Sequence, residues 1–263
     1  MADASRPLVD VAAPLAVDDG SSAGVGDVGG GVGGRGMGGV GGGGVGGRVL
    51  PGALAVGLIA AQAAFAATFR GPRERFWQRM TLTGLSLGSL ALVTSRPARR
   101  TRIGPREVVL GLVSAAALYV TFRVGDRFAR RVVPSGDAEI RDIYTLRTLR
   151  PKEEIAIRLA TVIGPAEELF WRGLVQEALM ARYGRWAGAA LAAMAYGGVH
   201  IVTGNFTLFG AAGIAGAHWC ALYAAGVPLG ALVVSHVTWD IWIFLVQPTG
   251  EITPLAPVGA SHR

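Results

Sequence analysis

The sequence predicts an all-α fold, a polytopic bundle of about seven membrane-spanning helices (six to eight), preceded by a disordered glycine-rich tail. Three observations predict it. Hydrophobic residues make up 51% of the 263 residues and charged residues only 16%, too apolar for an ordinary soluble domain. The apolar residues fall in long blocks that approach or reach the roughly 20 needed to cross the hydrocarbon layer. The breaks between the early blocks are rich in arginine, as membrane-flanking segments are. The backbone of such blocks must satisfy its own polar groups, and the alternation of a barrel strand is missing, so helices are expected.

Residues 1–48 read as a tail, because glycine dominates from Gly20 to Gly47 and such a segment cannot offset its ordering entropy by burial. Its glycine runs lack the strand-then-helix context and the Lys-Ser/Thr ending of a phosphate loop. Spans are expected over 49–69, 78–94, 106–124, 155–181, 186–204, 206–224 and 227–246. With the first apolar run of useful length beginning near Val49, the first span is expected to act as the insertion signal. The stretch 123–154 reads as an amphipathic connector in the headgroup zone, with Arg123, Arg127, Arg130 and Arg131 alternating with Phe128, Val132 and Val133. Pro151 followed by Glu153 and Glu154 signals a helix start. This divides the chain into a tail (1–48), N-terminal helices and connector (49–139), a core (140–246) and a polar C-terminal tail (247–263).

The net charge of +7 is carried by arginine, since Lys152 is the single lysine. These arginines lie between apolar blocks, which points to lipid headgroups as partners and away from nucleic acid. Consecutive basic breaks leave the orientation open. The arginine bias, with so much Gly and Ala, favours a bacterial source and a cell-membrane location. Cys220 is the one cysteine, so no intramolecular disulfide and no cysteine metal cluster can form, and it reads as a packing residue.

The informative residues are ionisable groups inside apolar helices, which cost about 2.5–3.5 kcal/mol each at a helix centre and so require pairing or a function. The fourth span carries Glu167, Glu168 and Arg172. Glu168 and Arg172 are four apart and can pair along one face. Glu167 is turned by about 100° from Glu168 and needs a partner from another helix, which makes it the better candidate for chemistry. The fifth span carries Tyr196-Gly197-Gly198-Val199-His200, where the glycines permit close helix approach. In the seventh span His236 and Asp240 are again four apart, a relation in which the aspartate can orient the imidazole. His218 reads as packing or weak support, and His262 lies in the polar tail. If the three helices converge, the carboxylate can activate water as a general base with imidazoles as donors. Alternatively, Glu167, His200 and His236 can bind a divalent metal such as zinc. The residues leave both open, and the soluble zincin pattern HExxH is absent.

These residues resemble the CAAX-protease and bacteriocin-processing (CPBP) family, which contains the Rce1-type prenyl-protein endopeptidases and the Abi proteins. Its motifs EExxxR, FxxxH and HxxxN or HxxxD correspond in order to Glu167-Glu168-x-x-x-Arg172, Tyr196-x-x-x-His200 and His236-x-x-x-Asp240, within about 140–246. Tyr196 replaces the usual phenylalanine, and Asp240 stands where Rce1-type enzymes have asparagine. The resemblance implies an intramembrane endopeptidase acting on a membrane-anchored protein or peptide. In it Glu167 with His200 activates water, His236 and Asp240 stabilise the oxyanion, and Glu168 and Arg172 hold the site. It implies either no required cofactor, slightly the favoured version, or a metal. The competing expectation is a non-catalytic membrane protein, such as a bacteriocin immunity factor, transporter or assembly partner. The lack of half-chain symmetry counts against a transporter.

Overall fold

A computed structural model describes residues 51–132 and 134–248, and the described residues form helices with no strand. The glycine-rich tail expected over 1–48 and nearly all of the polar tail expected over 247–263 lie outside them. Helix α1 (Pro51–Phe69) ends before Arg70-Gly71-Pro72, and α2 (Phe76–Thr94) follows a short 3-10 turn. A brief α3 (Arg96–Arg99) leads to α4 (Pro105–Val132). Glu107, in the first turn of α4, reaches back to accept the Gly104 N–H at 3.0 Å, half of a capping box. Then come α5 (Gly136–Thr145), α6 (152–183), α7 (Arg185–Val199), α8 (Phe206–Ala224) and α9 (Leu229–Ile241), the last extended by wider turns to Val246.

Each expected span coincides with a helix, but they are not equal. Among the described residues, four helices are long and apolar enough to cross a membrane: α4, α7 with its following turn (Arg185–Thr203), α8, and α9 with its extension (Leu229–Val246). Helix α1 offers a shorter apolar stretch, Leu54–Phe69. Helices α2 and α6 fall outside this set because Gln78 and Arg79 in α2, and the Glu and Arg residues of α6, dilute their apolar character. Side chains such as Val56, Ile59, Leu82, Val93 and Val113 point outward, whereas Glu168, Arg172, Gln176 and Ser235 are fully buried. Apolar side chains outside and charged groups within suit a lipid solvent. The chain is an all-α membrane protein.

Helix α6 begins as expected, after Pro151 and with Glu153 and Glu154 in its first turn. It is not a regular α-helix. Leu159–Ile163 and Trp171–Gln176 are π-helical, flanking the α-helical Gly164–Phe170. Pro165 supplies a reason for the first irregularity, since it lacks an N–H and its ring crowds the preceding turn. At the second, the Ser95 hydroxyl donates to the Gly173 carbonyl and Gln176 Nε2 donates to the Cys220 carbonyl at 2.8 Å, so neighbouring helices satisfy and anchor this stretch. Wide turns of this kind recur at functional sites.

Small residues let the helices meet closely. A Cβ on Gly88 of α2 would lie 2.9 Å from that of Ala166 in α6, and one on Gly111 of α4 would lie 2.7 Å from the Ala231 carbonyl oxygen in α9. Between α7 and α8, Gly197 faces Gly213 while Gly198 faces open space, so only the first of the two expected glycines makes a close approach.

In the stretch read as an amphipathic connector, α4 stays helical to Val132 and α5 is a docked helix spanning the 139/140 division. Its Glu139 carboxylate caps the start of α8, accepting from the Thr207 N–H at 2.8 Å and the Thr207 hydroxyl at 2.7 Å, while Asn205 Nδ2 donates to the Glu139 carbonyl at 3.0 Å. Arg73 adds an ion pair to Asp142 at 2.8 Å. Partial burial pushes the Glu139 carboxyl up, but hydrogen bonds from Thr207 and Ser135 outweigh it and hold the group below the ordinary glutamate value of 4.5. A carboxyl depressed on docking stabilises above its undocked value, and that contribution disappears as pH falls through the docked one. Hydrogen-exchange protection of 136–145 is therefore expected to be level above pH 4.5 and to decline below it. Glu139→Gln should show weaker protection with no such pH dependence.

Candidate active site

The Gly164–Phe170 stretch of α6 presents two adjacent carboxylates in different directions. Glu168 is fully buried, and its Oε1 accepts from Arg172 at 3.0 Å and from His236 Nδ1 at 2.7 Å. Arg172 lies with its guanidinium over the Tyr196 ring (4.6 Å to the centroid) and near that of Trp219 (5.2 Å), and it also reaches the Gly216 carbonyl at 3.4 Å. The expected Glu168–Arg172 pair is thus present, in a box of aromatic rings.

Glu167 finds its partners on other helices. The Tyr196 hydroxyl of α7 donates to its Oε2 at 3.1 Å, and His236 Nε2 of α9 stands 3.9 Å from the same oxygen. His236 Nε2 is also 3.5 Å from Asp240 Oδ2. The expected His236–Asp240 relation is thus present through Nε2, and Glu168 adds a contact that spacing along one helix does not give. Glu168 holds Nδ1, which leaves Nε2 between Glu167 and Asp240. The imidazole is stacked on Trp219, with centroids 4.1 Å apart and planes at 16°. Trp219 is held in turn, since its Nε1 donates to the Ser235 hydroxyl at 3.0 Å, Ser235 meets Ser114 of α4 at 2.8 Å, and Ser114 meets His218 at 3.0 Å. His218, expected as packing or weak support, thus stands at the far end of a chain that steadies His236.

His200 begins the 3-10 turn after α7. Its Nδ1 lies 2.9 Å from the Tyr196 carbonyl, which can only accept, so Nδ1 carries the proton and Nε2 is left free. Phe65 and Phe69 of α1 close on the ring edge-on, at 5.2 and 6.2 Å. No ion pair joins His200 to Glu167 among the described residues; Tyr196 stands between them, touching one through its hydroxyl and the other through its carbonyl. Glu167, Tyr196, His200, His236 and Asp240 all border one cavity of about 460 Å³. Its remaining walls are mostly apolar, with Phe122 and Asp126 from α4, Ile140 and Tyr144 from α5, and Phe206 from α8.

Among the described residues, no three His, Cys, Asp or Glu side chains are grouped to hold a metal ion. Glu167, His200 and His236, the trio considered as metal ligands, share the cavity without making such a set. Cys220 is buried and packs in the core, and His262 lies outside the described residues. The parts missed from the sequence are the Tyr196 hydroxyl as partner of Glu167, and Trp219 with Ser235 and Ser114 behind His236. Ser235 next to His236, and Trp219 next to His218, were the signals available.

Residues 154–242 match the family model for type II CAAX prenyl endopeptidase Rce1-like proteins. The matched segment is similar to an Rce1-like domain. It opens in the first turn of α6, closes just past α9, and contains Glu167, Glu168, Arg172, His200, His236 and Asp240. Helices α1–α5 lie outside the Rce1-like domain yet complete its site, with Phe65 and Phe69 against His200, Ser114 behind Ser235, and Phe122 and Asp126 in the cavity wall. No curated protein and no solved structure matches the chain significantly. The Rce1-like domain supports a CAAX-type intramembrane protease in general terms.

Proposed function

We propose that this protein hydrolyses a peptide bond of a membrane-anchored protein or peptide, with Glu167 as general base. One observation carries the reading: a buried carboxylate on α6 and buried imidazoles just after α7 and on α9 border a single cavity within a membrane-spanning bundle. Glu167 takes a proton from water as the water oxygen attacks the scissile carbonyl carbon. The same proton then passes to the departing amine nitrogen as the C–N bond breaks, so a water O–H and the C–N bond are replaced by a C–O and an N–H bond, leaving a new carboxyl group and a new amine without any other reagent. His236 Nε2, steered by Glu168 on its other nitrogen and with Asp240 beside it, donates to the oxyanion. His200, which borders the cavity and has Nδ1 engaged by the Tyr196 carbonyl, orients the water through Nε2 as acceptor. Glu168 and Arg172 hold His236 and carry no proton in the reaction. The mostly apolar walls lower the local dielectric, which strengthens each of these interactions. The arginine-for-lysine bias supports a bacterial cell membrane as the setting.

The test is direct. Purified protein in detergent, given a library of membrane-anchored peptides, is expected to release products that contain one oxygen from ¹⁸O-labelled water. Binding of such peptides with no cleavage of any of them would sink the proposal and leave a non-catalytic role for the cavity.

A further inference from the structure

We propose that the Tyr196 hydroxyl is a positioning group for the base, clamping Oε2 of Glu167 so that the carboxylate presents Oε1 to water. This rests on the hydrolytic reading above. The hydroxyl is 3.1 Å from Oε2 and both residues are buried. A clamp must itself be immobile, and Tyr196 is held on every side. The Arg172 guanidinium lies over one part of the ring and Trp171 meets it edge-on at 5.5 Å. Helix α8 presses against it at Gly216, where even a Cβ would stand 2.7 Å from Tyr196 Cδ1. The backbone of the same residue anchors His200. One tyrosine therefore sets the separation between the base and the nearby imidazole, because ring and carbonyl move together.

The other charged or titratable groups near Glu167 leave this task to Tyr196. Glu168 and Arg172, on its own helix, are engaged with each other; His236 and Asp240 on α9 approach at 3.9 Å and beyond; Asp126 on α4 pairs with Arg130 at 3.1 Å. Among the described residues, the Tyr196 hydroxyl is the side-chain donor within hydrogen-bond distance of Glu167. Holding a reacting group within a fraction of an ångström and some 10–20° of its productive geometry requires such support.

The experiment is Tyr196→Phe, which removes one oxygen and keeps the ring contacts to Arg172 and Trp171. Two measurements are made on the purified, full-length protein. The first is cleavage of a membrane-anchored peptide, where kcat is expected to fall about tenfold with KM unchanged. The second is labelling of Glu167 by a hydrophobic carbodiimide, located by mass spectrometry against Glu168 as internal reference. Loss of the clamp should raise labelling at Glu167 severalfold and leave Glu168 as it was. Unchanged labelling, or a rise in KM with kcat intact, overturns the clamp, even if thermal stability drops. If the parent protein cleaves nothing, hydrolysis fails as a reading, while the labelling ratio still decides whether Tyr196 holds Glu167.

Discussion

Glu167→Gln is expected to lower cleavage by about 10²–10⁴-fold while the folded bundle survives with nearly its original thermal midpoint. The substitution keeps the size and the acceptor oxygen of the side chain, so the Tyr196 hydroxyl retains a partner and no buried donor is orphaned. It removes the one property the reaction needs, a carboxylate able to accept a proton. In the proposed reaction His236 does not replace it, since Glu168 holds one imidazole nitrogen and the other, 3.9 Å from Glu167, is assigned to the oxyanion. The measurement is product formation under single-turnover conditions, which isolates chemistry from product release, beside an unfolding curve in the same detergent. Activity equal to the parent would remove Glu167 as the base. A large loss of stability would show that its carboxylate is chiefly a structural ion.

How far the sequence reveals such a site depends on which kind of geometry each part obeys. Charges in apolar helices stand out because lipid penalises them, so Glu167, Glu168, Arg172, His236 and Asp240 could be singled out from composition alone. Contacts along one helix follow from its pitch, and the Glu168–Arg172 and His236–Asp240 relations appear at 3.0 and 3.5 Å. Contacts between helices do not follow from pitch. Which nitrogen of His236 turns to Glu168 depends on how α9 is rotated against α6, and that rotation is altered by the π-helical turns on either side of Gly164–Phe170. The Tyr196 hydroxyl, the stacking of Trp219 on His236 and the docking of α5 through Glu139 belong to the same class. Even the helix count has this character. Helices α2 and α6 are too polar to stand as spans by themselves, but Gly84 and Gly88 bring them close together, and Glu167, Glu168, Arg172 and Gln176 of α6 are buried within the bundle.

Arg172→Met should cost about 3–5 kcal/mol of stability, the largest structural effect expected from any single change in this site. The guanidinium and the Glu168 carboxylate are both fully shielded from solvent, so methionine would leave a buried carboxylate with His236 as its remaining partner. The loss of the guanidinium between the Tyr196 and Trp219 rings adds to the effect, while the methionine side chain refills much of the volume. A thermal or denaturant unfolding series in detergent measures it. The double variant Glu168→Gln with Arg172→Met separates the two contributions: with no charge left to compensate, it should recover a good part of the stability lost by the single change. If the double variant is as unstable as the single one, Arg172 acts through packing against the rings. Recovery of stability without recovery of cleavage would assign the pair its separate chemical task, holding His236 through Nδ1 so that Nε2 faces Glu167 and Asp240. A buried salt bridge is a poor way to gain stability over an apolar pair of similar volume, so its presence here makes most sense as the fixed mount for that imidazole.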